Sequence, residues 1–172
     1  MKNYYIQITL CLFLFFSFYD SYAQKQSIND YIGTWRWVSG NKDTLIILLK
    51  PLKESYYTQS RPLLSSLQSQ IVGFHTYIEK GEMVESNMNL ISDTITNFVS
   101  ISGQLIEGTL RISFRDFTRD THFKGSIQLL KEIPGKAFLS LPFEDEKIIW
   151  ERKRIFPAGR TIPNNIVLEK IN

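Results

Sequence analysis

From residue 24 onward, apolar and polar positions mostly alternate, and runs of helical period are scarce. Gly33, Trp35 and Trp37 share one face of a first strand, and Thr34 and Arg36 share the other. Ser39-Gly40-Asn41-Lys42-Asp43 forms a turn cluster. Residues 44–50 are apolar on both faces (Leu45, Ile46, Ile47, Leu48, Leu49), which predicts a central strand or one covered from outside. A strand over 71–79, a turn at Lys80-Gly81 and a return over 82–86 follow. Next come strands at 98–102 and 104–115, with Gly103 at the turn between them. In the second of these, Ile106, Leu110, Ile112 and Phe114 face one way, and Thr109, Arg111, Ser113 and Arg115 the other. Residues 122–132 repeat the pattern, with Phe123, Ile127 and Leu129 opposed to His122, Lys124, Ser126 and Gln128. Pro134-Gly135 turns into a strand at 136–141, and strands at 147–155 and 165–171 bring the count to about ten. The predicted fold is all-β: an antiparallel up-and-down meander that hides its edges by closing into a barrel of about 8–10 strands.

One stretch breaks the pattern. Residues 51–70 are irregular, punctuated by Pro51 and Pro62 and filled with Ser, Gln and Tyr. A short helix over 62–70 fits, with Pro62 in its first turn. A loop of this length in a compact domain is usually functional or mobile. Tyr56 and Tyr57 within it are candidates to line a mouth or to meet a partner.

Residues 1–23 read as a signal peptide: Lys2, an apolar run over 6–18, then Ser21-Tyr22-Ala23 before Gln24. The run is shorter than the roughly 20 apolar residues of a membrane span. Cys11 lies inside the run, not at its end, so it is a poor lipidation site. The expectation is an exported protein, periplasmic or secreted, with no stable membrane insertion once the leader is gone. Residues 24–172 then form a single domain that contains no cysteine and must rely on burial and a closed hydrogen-bond network.

Charge and motifs add little chemistry. The formal net charge is +3 and basic residues are scattered, which argues against nucleic acid as a partner. His75 and His122 lie far apart, and no paired cysteines or carboxylate-rich loop accompany them, so no metal site is expected. No Gly-x-Ser-x-Gly and no phosphate-cradling glycine loop is present. Glu79 and Glu82 read as solvated hairpin charges, and Glu85 and Glu107 as strand residues with polar partners. The chain is therefore expected not to be an enzyme and to need no cofactor.

Tyr31-Ile32-Gly33-Thr34-Trp35 resembles the opening motif of the lipocalin-like (calycin) β-barrels. That resemblance implies a structural Gly33 and a Trp35 that plugs the closed end. It also implies a late-strand arginine across the indole, here Arg152 or Arg154 in Ile148-Ile149-Trp150-Glu151-Arg152-Lys153-Arg154. The chain departs from the pattern in its very short first hairpin and its lack of a visible C-terminal helix. A second resemblance rests on Gly33-Thr34-Trp35-Arg36-Trp37, Gly40-Asn41-Lys42-Asp43-Thr44-Leu45-Ile46-Ile47, Gly73-Phe74-His75-Thr76-Tyr77, Gly81-Glu82-Met83-Val84-Glu85-Ser86 and Pro163-Asn164-Asn165-Ile166-Val167-Leu168. These segments are similar to a family of small secreted Bacteroidota proteins of unknown function, which supports fold and address and transfers no catalytic residue.

Two functional expectations follow. The barrel binds a small apolar ligand, walled by Trp37 and Trp150 and gated by the 51–70 segment with Tyr56 and Tyr57. Alternatively, a packed barrel acts as a protein-interaction or inhibitor module through the 51–70 loop. The inward side chains discriminate between them, because large ones leave no room for a ligand.

Overall fold

Among the described residues, nine antiparallel strands carry the alternation. A computed structural model describes residues 26–52, 70–91, 99–144 and 159–171. The leader, residues 53–69 with Tyr56 and Tyr57, Phe98, and the expected strand at 147–155 with Trp150, Arg152 and Arg154 lie outside the described residues.

The strands are β1 Gly33–Val38, β2 Thr44–Pro51, β3 Gln70–Glu79, β4 Glu82–Ser86, β5 Ile101–Ile106, β6 Thr109–Asp116, β7 Thr121–Leu129, β8 Lys136–Glu144 and β9 Ile166–Lys170. They pair in the order β2-β1-β9-β8-β7-β6-β5-β3, and a further β2–β3 pairing closes the ring into an eight-stranded barrel. The ninth strand, β4, is extra. It pairs with β3 at 76–79, while β5 takes the same edge of β3 at 70–73.

Period-two alternation sets what faces inward. Trp35 opposes Ile47, Ile47 opposes His75, and Leu45 opposes Tyr77, so these residues share the interior face. Leu49, Ile101, Leu110, Phe114, Phe123, Ile127, Leu139 and Leu168 join them, all essentially without solvent contact. Burying each such side chain contributes about 1.5–3 kcal/mol before entropy is counted. β2 lies between β1 and β3, and its outward Ile46 and Leu48 are half-buried, in line with its two apolar faces.

Both ends of the barrel are covered. At one end a single helical turn, α1 (Ile28–Tyr31), packs under the first strand. Tyr31 is fully buried, its hydroxyl donating to the Gly108 carbonyl at 2.9 Å. Across the far end runs the 159–165 segment. Ile162 is buried in the core, Arg160 lies 4.8 Å over the Phe123 ring, and the Thr161 N–H donates to Asp116 Oδ2 at 2.6 Å.

Two details differ from the sequence reading. The turn expected at Gly103 falls at Glu107-Gly108, where φ is 49° and 75°. Two successive positive φ values make a tight type I′ hairpin. Gly103 instead lies within β5, where a Cβ would stand 2.8 Å from the Arg111 carbonyl oxygen, so the glycine serves close strand approach. The displaced turn also puts Leu105 against the core and leaves Ile106 46% exposed, outside the Leu110–Phe114 face.

Candidate functional site

The far end of the barrel holds a buried polar cluster. His75 projects inward from β3 with no solvent exposure, and Glu85 projects inward from β4 at 7%. Their side chains meet at 2.5 Å through Nε2 and Oε1. The other carboxylate oxygen, Oε2, accepts the Thr118 N–H at 2.8 Å and the Thr118 hydroxyl at 2.6 Å. A carboxylate accepting three bonds is held in its ionised form. Burial is the largest single influence on Glu85 and pushes its pKa up. The hydrogen bonds from His75 and Thr118, with the His75 charge, together outweigh it and hold the group below its ordinary value.

Phe114 and Phe117 enclose the imidazole. The Phe114 ring lies 4.8 Å away and tilted, and the Phe117 ring is stacked at 6.0 Å. The backbone of His75 is clasped by Asn87: the His75 N–H donates to Asn87 Oδ1 at 2.7 Å, and the Asn87 N–H to the His75 carbonyl at 3.0 Å. Asp116 stands nearby, fully buried. Burial, and secondarily the Glu85 charge, raise its pKa, although the Thr161 and Arg119 N–H groups oppose this.

This cluster is a clasp. The Glu85 carboxylate ties β4 to β3 through His75, and to the β6–β7 turn through Thr118. Acid–base catalysis needs a proton-transfer group within reach of substrate, and the His75 ring is sealed from solvent. Among the described residues His75 Nδ1 has no hydrogen-bond partner, and no hydroxyl stands against it. Among the described residues no three His, Cys, Asp or Glu side chains group to hold a metal ion.

The residues singled out from sequence are distributed differently. Trp37 is half-buried, packed on the core beside Leu45. Trp35 plugs the helix-capped end at 1% exposure, and its indole N–H donates to the Tyr31 carbonyl at 2.8 Å. Gly33 has φ of 125°, a backbone conformation that favours glycine. Arg152 and Arg154 lie outside the described residues; the cation described over the Trp35 ring is Lys170, its Nζ 5.4 Å from the centroid. Trp150, Tyr56 and Tyr57 also lie outside the described residues.

Sequence reasoning missed the His75–Glu85 pair for a definite reason. With Lys80-Gly81 as a two-residue turn, regular pairing opposes Glu85 to Thr76, on the outer face. A bulge between Tyr77 and Ile78 moves Glu85 opposite Tyr77, on the inner face.

A family model described as a family of unknown function (DUF6705) matches residues 1–171. No curated protein and no solved structure is significantly similar to the chain.

Proposed function

The chain belongs to the DUF6705 family of unknown function, and we propose that it is an exported, non-catalytic barrel of lipocalin-like type that works as a protein-interaction module. The packed interior carries this reading: Trp35, Tyr31, Phe114 and Phe123 are all buried to 1% or less, inside a barrel covered at both ends. An eight-stranded barrel is just wide enough for its own side chains or one small ligand, and here side chains take the space. That favours contacts through the surface over an apolar ligand carried inside. Export rests on the leader-like residues 1–23.

The surface offered to a protein partner is mostly apolar. Val38, Thr44, Ile78 and Met83 form one lateral row on the outer face of β1, β2, β3 and β4, with Val38 54% and Met83 68% exposed. Exposed apolar groups gathered in a row mark interaction surfaces, whereas singly scattered ones do not.

A photo-crosslinking residue at Met83, with a control at the exposed Arg111 of β6, tests the proposal in the native host. A protein captured from position 83 but not 111, and lost on Val38→Asp, is the expected result. Native mass spectrometry of the purified protein supplies the opposite outcome. A bound small molecule of defined mass, with no crosslink at 83, overturns the reading in favour of a carried ligand.

A further inference from the structure

A concavity lies outside the barrel, at the helix-capped end. Between α1 and the 130–135 turn joining β7 to β8 is a groove of about 520 Å³. Leu129, Leu130 and Pro134 supply an apolar wall, and Lys131, Lys136 and Lys170 rim it. The lysines are scattered in the sequence and converge through pairing. Lys136 opposes Glu169 across the β8–β9 ladder, and the Lys170 N–H donates to the Gly135 carbonyl at 2.7 Å.

Positive charge predominates among the residues that line the groove. Among the described residues none of the three lysines makes an ion pair, including Lys136 with its neighbour Glu169. Lys170 Nζ donates to the Asp30 carbonyl at 3.0 Å. The carboxylate in the wall, Asp30, is already engaged, because its Oδ2 accepts the Ser27 N–H at 2.7 Å and closes the start of α1. Three ammonium groups thus share a concave site with one engaged carboxylate. An anion entering the groove gains from all three without breaking an ion pair.

We propose that this groove is a binding site for a small organic carboxylate carrying a short apolar chain. The carboxylate sits among the lysines, and the chain lies along Leu129, Leu130 and Pro134. A groove of this volume falls within the range of small-molecule sites. Its apolar wall selects an amphiphilic anion over a bare inorganic one. The site is separate from the row around Met83, so it stands or falls independently of the interaction reading.

The proposal is tested by titrating the purified protein and following amide and indole N–H resonances. Sodium hexanoate is the probe, with hexylamine and inorganic phosphate as comparisons. The expected result is a saturable shift of the Gly135 amide and the Trp35 indole N–H with hexanoate, none with hexylamine, and weaker binding of phosphate. Lys131→Gln combined with Lys136→Gln should weaken hexanoate roughly tenfold. Both positions are exposed or half-exposed, and Lys170 is kept because it packs on Trp35. An unfolding midpoint equal to wild type confirms that this variant is folded. No saturable shift, an equal response to hexylamine or phosphate, or unchanged affinity in the folded variant overturns the proposal.

Discussion

His75 and Glu85 meet at 2.5 Å inside the barrel because one extra residue in β4 turns Glu85 from the outer face to the inner. The bulged residue is Val84. It has no ladder partner on β3 and is 36% exposed. The bulge exchanges an apolar inward position for a carboxylate. That exchange is tolerable only because three donors await the carboxylate.

His75→Ala removes one partner and leaves a buried carboxylate short of a donor. The expected loss is about 3–5 kcal/mol of unfolding free energy at neutral pH. Glu85→Gln keeps the shape and a neutral hydrogen-bonding group, and should cost about 1–3 kcal/mol. Urea unfolding followed by circular dichroism measures both. A His75→Ala loss no larger than that of Glu85→Gln would show that the charge is not what the clasp secures.

The clasp also has a pH signature. Glu85 has a folded-state pKa below its ordinary value of 4.5. The unfolded chain therefore binds the proton first as pH falls, and the stabilisation is present above 4.5 and lost as pH drops through the lowered folded value. Asp116 carries the opposite sign. Its folded pKa is raised above 3.8, so its share is full below that value and lost as pH rises through the raised one. The gap in stability between wild type and Glu85→Gln should hold from neutral pH to about 4.5, then narrow. A gap that widens on acidification contradicts the assignment.

How much of the fold is legible in the sequence follows from the same register logic. Alternation and the Lys80-Gly81 turn place β3 and β4 correctly, because a glycine between two alternating runs marks the hairpin and takes one of its two positive φ values. Glu107-Gly108 has the same charged-residue–Gly form, but it interrupts a run from 104 to 115 that reads as one alternating strand, while Gly103 offers an earlier glycine for the turn. The helix at Ile28–Tyr31 is a single turn, too short for periodicity to reveal, although Ser27 with Asp30 three residues later hints at its start. The His75–Glu85 pair depends on a bulge, and no periodic pattern encodes one.

Gly108 makes the turn correction testable. Its φ of 75° suits glycine, and the nearest atom to an added Cβ is a flexible one, Gln26 Oε1 at 3.4 Å. Gly108→Ala should therefore cost backbone strain only, about 1 kcal/mol. Gly40→Ala meets nothing within 4 Å and should be close to neutral. Equal midpoints for the two variants in denaturant would argue against a left-handed residue at 108.

Gly125 has a different role. It lies at the β7–β8 irregularity between Lys124 and Ser126, and an added Cβ would overlap the Ser140 carbonyl oxygen. That oxygen is backbone and cannot swing away. Gly125→Ala should destabilise the barrel by more than about 3 kcal/mol, against about 1 kcal/mol for a purely conformational change. Thermal unfolding of Gly125→Ala beside Gly108→Ala separates the two mechanisms. Similar midpoints would mean that β7 and β8 are not held this closely.

Closure of the helix-capped end rests on Trp35 and Tyr31 acting as one unit. The indole N–H of Trp35 donates to the Tyr31 carbonyl, and the Tyr31 hydroxyl reaches the Gly108 turn, so α1 is bound to the barrel at both sides. Trp35→Phe removes that donor in a fully buried place and leaves a void beside the carbonyl. The expected cost is about 2–4 kcal/mol. Trp37→Phe, at a half-buried site on the same face, should cost less than about 1.5 kcal/mol. Tyr31→Phe loses only the hydroxyl bond to Gly108, about 1–2 kcal/mol. If the cap is one unit, the double variant Tyr31→Phe, Trp35→Phe should fall short of the sum by about 0.5–2 kcal/mol, at most the cost of Tyr31→Phe itself, because the first loss already loosens what the second removes. Hydrogen exchange should then show faster opening of 28–35 in either single variant, with β6 and β7 unchanged. Additive costs with unaltered exchange at 28–35 would mean that the helix merely covers the barrel end, and that Trp35 holds the end shut unaided.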